Sequence, residues 1–108
     1  MPTIYKVLGQ ALPASTSATL YTVPASTDTV VSTVNACNTG ATAATIDIAI
    51  RIAGAALTTS QHIVKGLSLA ANSTFTYTAG ITLDATDVIT VVSSTSNVAF
   101  SAFGSEIS

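Results

Sequence analysis

Charged side chains are scarce in this chain of 108 residues: they make up 7% of it, against about 25% in an ordinary soluble domain. Mean hydropathy is positive, at +0.61. Because a free monomer normally relies on a charged surface to stay soluble, this composition predicts that other subunits cover much of the surface. The net charge of −2 provides no basic surface for phosphate groups, so we expect no nucleic acid and no membrane as partners.

The chain also lacks the features of an exported or membrane-embedded protein. Its only cysteine is Cys37, so no disulfide can form within the chain, and we expect this thiol to be buried and unreactive inside a strand. The first residues show no basic region followed by an apolar run, and no apolar stretch approaches the ~18 residues that a membrane span needs. The sequence therefore predicts synthesis and folding in the cytoplasm.

Residue types that carry catalysis or bind cofactors are few and scattered. His62 is the only histidine, no G-x-S-x-G motif is present, and the glycines form no phosphate-binding loop. Asp84 and Asp87 are too few for a calcium site on their own and are expected to cap a turn, although a neighbouring subunit could complete such a site. We therefore predict no enzyme activity, no catalytic residue, no metal site and no cofactor.

The clearest pattern in the chain is the stretch ATIDIAIRIA, residues 44–53. It alternates so that four isoleucines share one face, which is the two-residue period of a β-strand lying on a core: Ile46, Ile48, Ile50 and Ile52. A row of branched side chains on one face requires a second sheet opposite it. We therefore predict a central strand in a two-layer β-structure.

Turn residues divide the rest of the chain into similar short strands. We predict strands at 3–10, 19–23, 29–38, 59–65, 73–79, 81–83, 88–93 and 98–103, with 59–65 at an edge. Phe75 and Tyr77 should point inward, and most other aromatic side chains should also lie in the core. The prediction is an all-β protein: a single antiparallel β-sandwich domain over 1–108 with seven to nine strands. Jelly-roll and immunoglobulin-like topologies both remain open.

Asp47 and Arg51 lie on one face of the central strand, about 13 Å apart at the usual rise per residue, so each needs its own partner. That partner could lie across a strand or across an interface. We predict that contacts with other chains involve the cations and selected acidic residues: Lys6, Asp47, Arg51, Lys65 and Glu106. An extended arm at 1–5 and a tail at 104–108 are expected to reach onto neighbouring subunits.

Several segments together resemble a group of small virion structural proteins of tailed bacteriophages. They are MPTIYKVLGQ at the start, LYTVPAST, VVSTVNACN, GITLDATDVITV, and NVAFSAFGSEIS at the end. The resemblance spans nearly the whole chain and is strongest at its two ends.

The resemblance implies a non-enzymatic component of the virion, made in the host cytoplasm. It points to a capsid decoration (cement) protein that binds the major capsid protein, associates with itself as a homotrimer and stabilises the mature shell. The alternative is a structural subunit of the tail, neck or baseplate, which could contact the host surface. Neither role assigns chemistry to any residue of the chain.

Overall fold

The computed structural model describes residues 3–78 and 80–108. Within these residues the chain forms nine strands and two short 3₁₀ turns. The strands are β1 (Thr3–Ala11), β2 (Ser17–Thr22), β3 (Asp28–Asn38), β4 (Ala44–Arg51), β5 (His62–Leu69), β6 (Thr74–Tyr77), β7 (Ile81–Leu83), β8 (Val88–Ser93) and β9 (Val98–Ile107). The 3₁₀ turns, Ile52–Gly54 and Thr59–Gln61, lie between β4 and β5.

The strands form two antiparallel sheets that pack face to face. Sheet A has the order β1-β9-β3-β6, with β7 also paired to β3, and sheet B has the order β2-β8-β4-β5. The core between them is built from branched and aromatic side chains of both sheets. The predicted all-β fold and antiparallel β-sandwich are confirmed, and β5 is an edge strand as expected.

Strand order decides between the two topologies that the sequence left open. Strand β9 pairs along the whole of one edge of β3. The other edge of β3 is shared by β6 and β7, which together act as one interrupted strand. Counting that pair once gives eight strand positions, ordered 1-8-3-6 in sheet A and 2-7-4-5 in sheet B. With β6 and β7 counted as one strand, the chain crosses between the sheets at every connection except β4 to β5. This double Greek-key winding is a jelly roll.

The strand predicted at 44–53 is an inner strand of sheet B but is shorter than expected. Ile46 and Ile48 are fully buried, and Ile50 packs at the margin of the core. The prediction is wrong for Ile52, which is 71% exposed because the strand ends at Arg51 and the chain turns through Ala53 at a φ of 54°. Periodicity alone could not show this, since the alternation continues past the point where the backbone turns.

The prediction of an extended arm at 1–5 and a tail at 104–108 is wrong for residues 3–5 and 104–107, which lie in strands. Residues 3–5 belong to β1 and residues 104–107 to β9, and the two strands pair with each other from Thr3↔Ile107 to Ala11↔Phe100. These segments satisfy each other's backbone hydrogen bonds instead of extending freely onto neighbours. Residues 1 and 2 of the predicted arm lie outside the described residues.

The exposure of Cys37 also differs from the prediction. It pairs with Ala99 on one side and Thr74 on the other, in a row that faces away from the core, and it is partly exposed. The prediction of a buried thiol is therefore wrong. By contrast, Phe75 and Tyr77 pack against the core as predicted.

Candidate functional site

Asp47 finds its partner on the neighbouring edge strand. Its carboxylate accepts a hydrogen bond from the backbone N–H of Gly66 at 2.7 Å and lies 3.2 Å from the ammonium group of Lys65. Both contacts join β4 to β5 at a place where the pairing of the two strands is irregular. The cross-strand partner expected for Asp47 is thus present within the chain.

Arg51 has one partner across a strand, as predicted, the hydroxyl of Thr90 on β8, and its other two partners lie in the loop that follows β4. Its guanidinium donates to the backbone carbonyls of Ala55 at 2.7 Å and Gly54 at 3.0 Å, and to the hydroxyl of Thr90 at 3.4 Å. We call residues 52–61, which connect the neighbouring strands β4 and β5 within sheet B, the crossover segment; the name implies no passage between the two sheets. Arg51 holds the start of this segment against the outer face of sheet B, where Ala49 and Thr90 are buried.

A third set of contacts ties the two sheets together near the beginning of β1. Glu106 of β9 accepts a 2.5 Å hydrogen bond from the hydroxyl of Tyr21 on β2, and it lies 3.4 Å from the ammonium group of Lys6. The Tyr21 hydroxyl also lies 2.9 Å from that of Thr29. Burial, together with the hydrogen bond to Glu106, raises the pKa of Tyr21 to about 12.

The five charged residues predicted at an interface therefore fall into three separate intrachain sets. Lys6 with Glu106, Asp47 with Lys65, and Arg51 with backbone carbonyls occupy different places on the sandwich. Their use in contacts with another chain stays a prediction. Any such contact has to compete with partners that these groups already have.

The two aspartates after β7 act on the local backbone. The carboxylate of Asp87 accepts hydrogen bonds from the N–H groups of Asp84 and Ala53, and that of Asp84 accepts from Ala85. The predicted turn-capping role is confirmed. In the parts of the chain that the structure describes, no three His, Cys, Asp or Glu side chains are grouped so that they could hold a metal ion.

Large apolar side chains are exposed along the first strand. Most aromatic side chains lie in or against the core as expected, but Tyr5 is an exception at 84% exposed. Ile4 and Val7 are about half exposed, at 53% and 49%. Leu12, just after β1, is exposed as well. We call Ile4, Tyr5, Val7 and Leu12 the β1 cluster.

A shallow groove of about 440 Å³ lies beside Tyr5 on the outer face of sheet A. Its wall includes Phe103 and Gly104 of β9, together with Val30 and Ser32 of β3. Bulges in both neighbouring strands flank this point of β9, one between Val7 and Gly9 and one after Val31. Bulges are common at sheet edges and next to functional sites, where they redirect side chains.

A second group of exposed apolar side chains lies at the end of β4 and around the crossover segment. It consists of Ile52, Leu57 and Ile63, which we call the crossover cluster. Residues 52–61 contain no charged side chain. The segment is nevertheless anchored, by Arg51 at its start and by the hydrogen bond from Ala53 to Asp87.

Sequence reasoning did not identify either cluster as an exposed apolar surface, although the predicted arm at 1–5 includes Ile4 and Tyr5. The signal for the β1 cluster was present, since Tyr5 and Val7 alternate with Lys6 in a predicted strand. What the sequence could not show is that this strand lies at an edge, where both of its faces and one row of backbone groups remain accessible.

Comparison of the chain with protein-family models, with curated proteins and with solved structures found no match. Among the residues described, no helix has the length and apolar character needed to cross a membrane. Any proposal of function therefore starts from the surface features described above.

Proposed function

We propose that this chain is a non-enzymatic structural protein of a tailed-bacteriophage virion, and specifically a capsid decoration protein that binds the major capsid protein from outside. The jelly-roll order is one that viral capsid domains use, but lectins and cupins use it too, so the fold alone assigns no function. The resemblance of the two chain ends to small virion proteins supplies the more specific argument.

The structural observation that carries the proposal is the combination of exposed apolar side chains with few free charges. Two clusters, on β1 and around the crossover segment, expose seven large apolar residues in a chain that is 7% charged. Exposed apolar side chains together with so few charges fit a protein whose surface is covered by partners. Copies arrayed on a shell, in contact with capsomers and with one another as a trimer, would cover it.

The crossover cluster is the surface that we assign to the shell. Arg51 and Asp87 hold its backbone in place before any partner arrives, so little conformational entropy is lost on binding. Because residues 52–61 contain no charged side chain, burying them against the shell removes no charge of the segment from water. A decoration protein that binds the mature lattice better than the immature one stabilises the mature lattice by that difference in affinity.

A reconstruction of the intact virion tests this proposal directly. We expect density for the chain on the icosahedral shell, at three-fold or quasi-three-fold positions. Density confined to the tail, neck or baseplate would refute the decoration role and favour the alternative of a tail-associated subunit.

A binding assay with purified shells that lack this protein tests the assigned surface. We expect Leu57→Lys, which places a charge in the crossover cluster, to lower shell occupancy at least about tenfold, since burying an unpaired charge is costly. Thr42→Lys, at an exposed position in the β3–β4 loop, is the matched control and should bind normally. Equal occupancy for both variants would show that the crossover segment does not face the shell.

A further inference from the structure

The sandwich has four sheet edges, and three of them are protected against pairing with another strand. The edge formed by β6 and β7 is short and interrupted. Strand β5 pairs irregularly with β4 and turns at Gly66, whose φ is 62°. Strand β2 is divided by a bulge between Thr19 and Tyr21, so no more than three consecutive residues on either side pair regularly with β8. Short, bent and bulged edges are the usual means of preventing edge-to-edge association.

The fourth edge, β1, is unprotected over its first half. The bulge between Val7 and Gly9 divides the strand, and from Leu8 onward it folds against β2, where a Cβ on Gly9 would overlap the carbonyl oxygen of Leu20. The preceding five residues, Thr3–Val7, are all exposed. We call Thr3–Val7 the free edge, because β9 pairs with it on one side and no described strand pairs with it on the other.

The free edge also lacks an effective charged gatekeeper. A lysine on an edge strand normally deters pairing, but Lys6 is directed toward Glu106 on β9, the strand already paired with β1. The other large side chains of the free edge are apolar: Ile4, Tyr5 and Val7. A free row of backbone groups flanked by exposed apolar side chains is a template for another β-strand.

We propose that two copies of this chain pair through their free edges, antiparallel and about a two-fold axis centred on Tyr5. A two-fold axis perpendicular to the sheet requires one residue to lie opposite itself. With Tyr5 at the centre, Ile4 lies opposite the second copy's Lys6, and Thr3 opposite the second copy's Val7. All five residues of each free edge are then paired, and the two A sheets become one continuous sheet.

Other registers of the same two-fold pairing are less favourable. Centring on Lys6 places two like charges directly opposite each other, which is destabilising. Centring on Ile4 leaves Lys6 and Val7 without partners in the free edge. Centring on Val7 requires the half of β1 that is folded against β2. The Tyr5 register alone uses the whole free edge, and it adds an aromatic pair at the centre.

The contact is small compared with the roughly 1,200–2,000 Å² that stable interfaces bury, so the dimer should be weak in dilute solution. It is distinct from a trimer contact, because a two-fold axis joins one copy to only one other. Where many copies are held close together, a weak contact of this kind is strengthened by the high local concentration. The pairing concerns the isolated protein and does not depend on the proposed function.

Disulfide trapping of the purified protein tests the register, with Cys37 replaced by serine. In this background Tyr5→Cys brings two cysteines directly opposite each other, within the Cα separation that a disulfide accepts. Val7→Cys is the matched control, because its two copies would lie more than about 10 Å apart. We expect Tyr5→Cys to form covalent dimers at least about tenfold faster than Val7→Cys. The double variant Thr3→Cys/Val7→Cys should cross-link as well, because residue 3 of one copy lies opposite residue 7 of the other.

Equal cross-linking rates for Tyr5→Cys and Val7→Cys would overturn the proposal. Sedimentation of the chain with its native Cys37 at high concentration provides a second measurement that needs no cysteine variant. We expect Tyr5→Phe to retain the dimer and Tyr5→Lys to abolish it, while Leu12→Lys, which adds the same charge to an exposed apolar site outside the free edge, leaves it intact. A monomer at every concentration, or equal loss in both lysine variants, would also refute the pairing.

Discussion

Replacing Arg51 by alanine should loosen the crossover segment, and the structure allows the size of the effect to be worked out. The guanidinium makes two good hydrogen bonds, to the carbonyls of Ala55 at 2.7 Å and Gly54 at 3.0 Å. Hydrogen bonds to charged groups contribute about 1.5–3 kcal/mol each when buried. Since these lie near the surface, we take about 1 kcal/mol for each, or about 2 kcal/mol in total.

A loss of about 2 kcal/mol should lower the Tm by roughly 8 °C, taking about 4 °C per kcal/mol for a domain of this size. The change should be local before it is global. We expect faster amide hydrogen exchange at Ala53 and Ala55, whose N–H groups bond to Asp87 and Ile52 in the anchored segment. Thermal unfolding measures the change in Tm, and hydrogen exchange of the purified protein measures the local effect.

Two controls separate the anchoring role of Arg51 from a general effect of its charge. Lys65→Ala removes a cation from an exposed ion pair and should cost between about 0 and 1 kcal/mol. Arg51→Lys keeps the charge but cannot donate to both carbonyls in the same fork, so it should restore only part of the stability. If Arg51→Ala were no less stable than Lys65→Ala, the anchoring role would be wrong.

Three further predictions follow from burial and hydrogen bonding. Ile48→Ala should lower the free energy of unfolding in urea by about 4 kcal/mol, because Ile48 is fully buried. Ile52→Ala should change it by less than about 0.5 kcal/mol, because Ile52 is exposed. Similar losses in both variants would contradict the placement of Ile52 outside the strand. The raised pKa of Tyr21, about 12, favours its neutral form in the folded state, so stability present below pH 10 should be lost as the pH rises from about 10 toward 12. Tyr21→Phe should reduce this dependence in denaturation curves, and an unchanged slope would refute the assignment. Asp87→Asn should lower the free energy of unfolding by about 2 kcal/mol, measured by thermal unfolding, and by more than Asp84→Asn does. The reason is that the Asp87 carboxylate is buried and accepts hydrogen bonds from the N–H groups of both Asp84 and Ala53. A larger loss in Asp84→Asn would contradict the capping role of Asp87.

Local physics made much of the fold predictable from the sequence. Alternation placed Ile46 and Ile48 in the core, and turn-forming residues separated the strands near where they end in the structure. Asp84 and Asp87 were recognised as turn caps because such contacts span only a few residues. Information of this kind lies within short windows of sequence, where spacing and residue type suffice.

The candidate surfaces were much less predictable, because exposure at an edge depends on which strands are neighbours. Tyr5 is a large aromatic residue of the kind usually found in a core. It is exposed because β1 lies at the edge of sheet A. Two of the three partners of Arg51 are backbone carbonyls of the loop after β4, and no residue pattern in the sequence predicts those contacts. Cys37 lies on the outer face because of the register that β3 adopts against β9.

By itself, the sequence determined that the chain is built from short antiparallel strands with a branched aliphatic core, because strand periodicity and turn chemistry act over a few residues. Only the tertiary structure decided the jelly-roll order, the pairing of the two chain ends in β1 and β9, and the partner of each charge. These features join residues as far apart as Lys6 and Glu106. Which distant strands meet depends on the packing of the whole core, and that packing is what leaves Thr3–Val7 as the open edge.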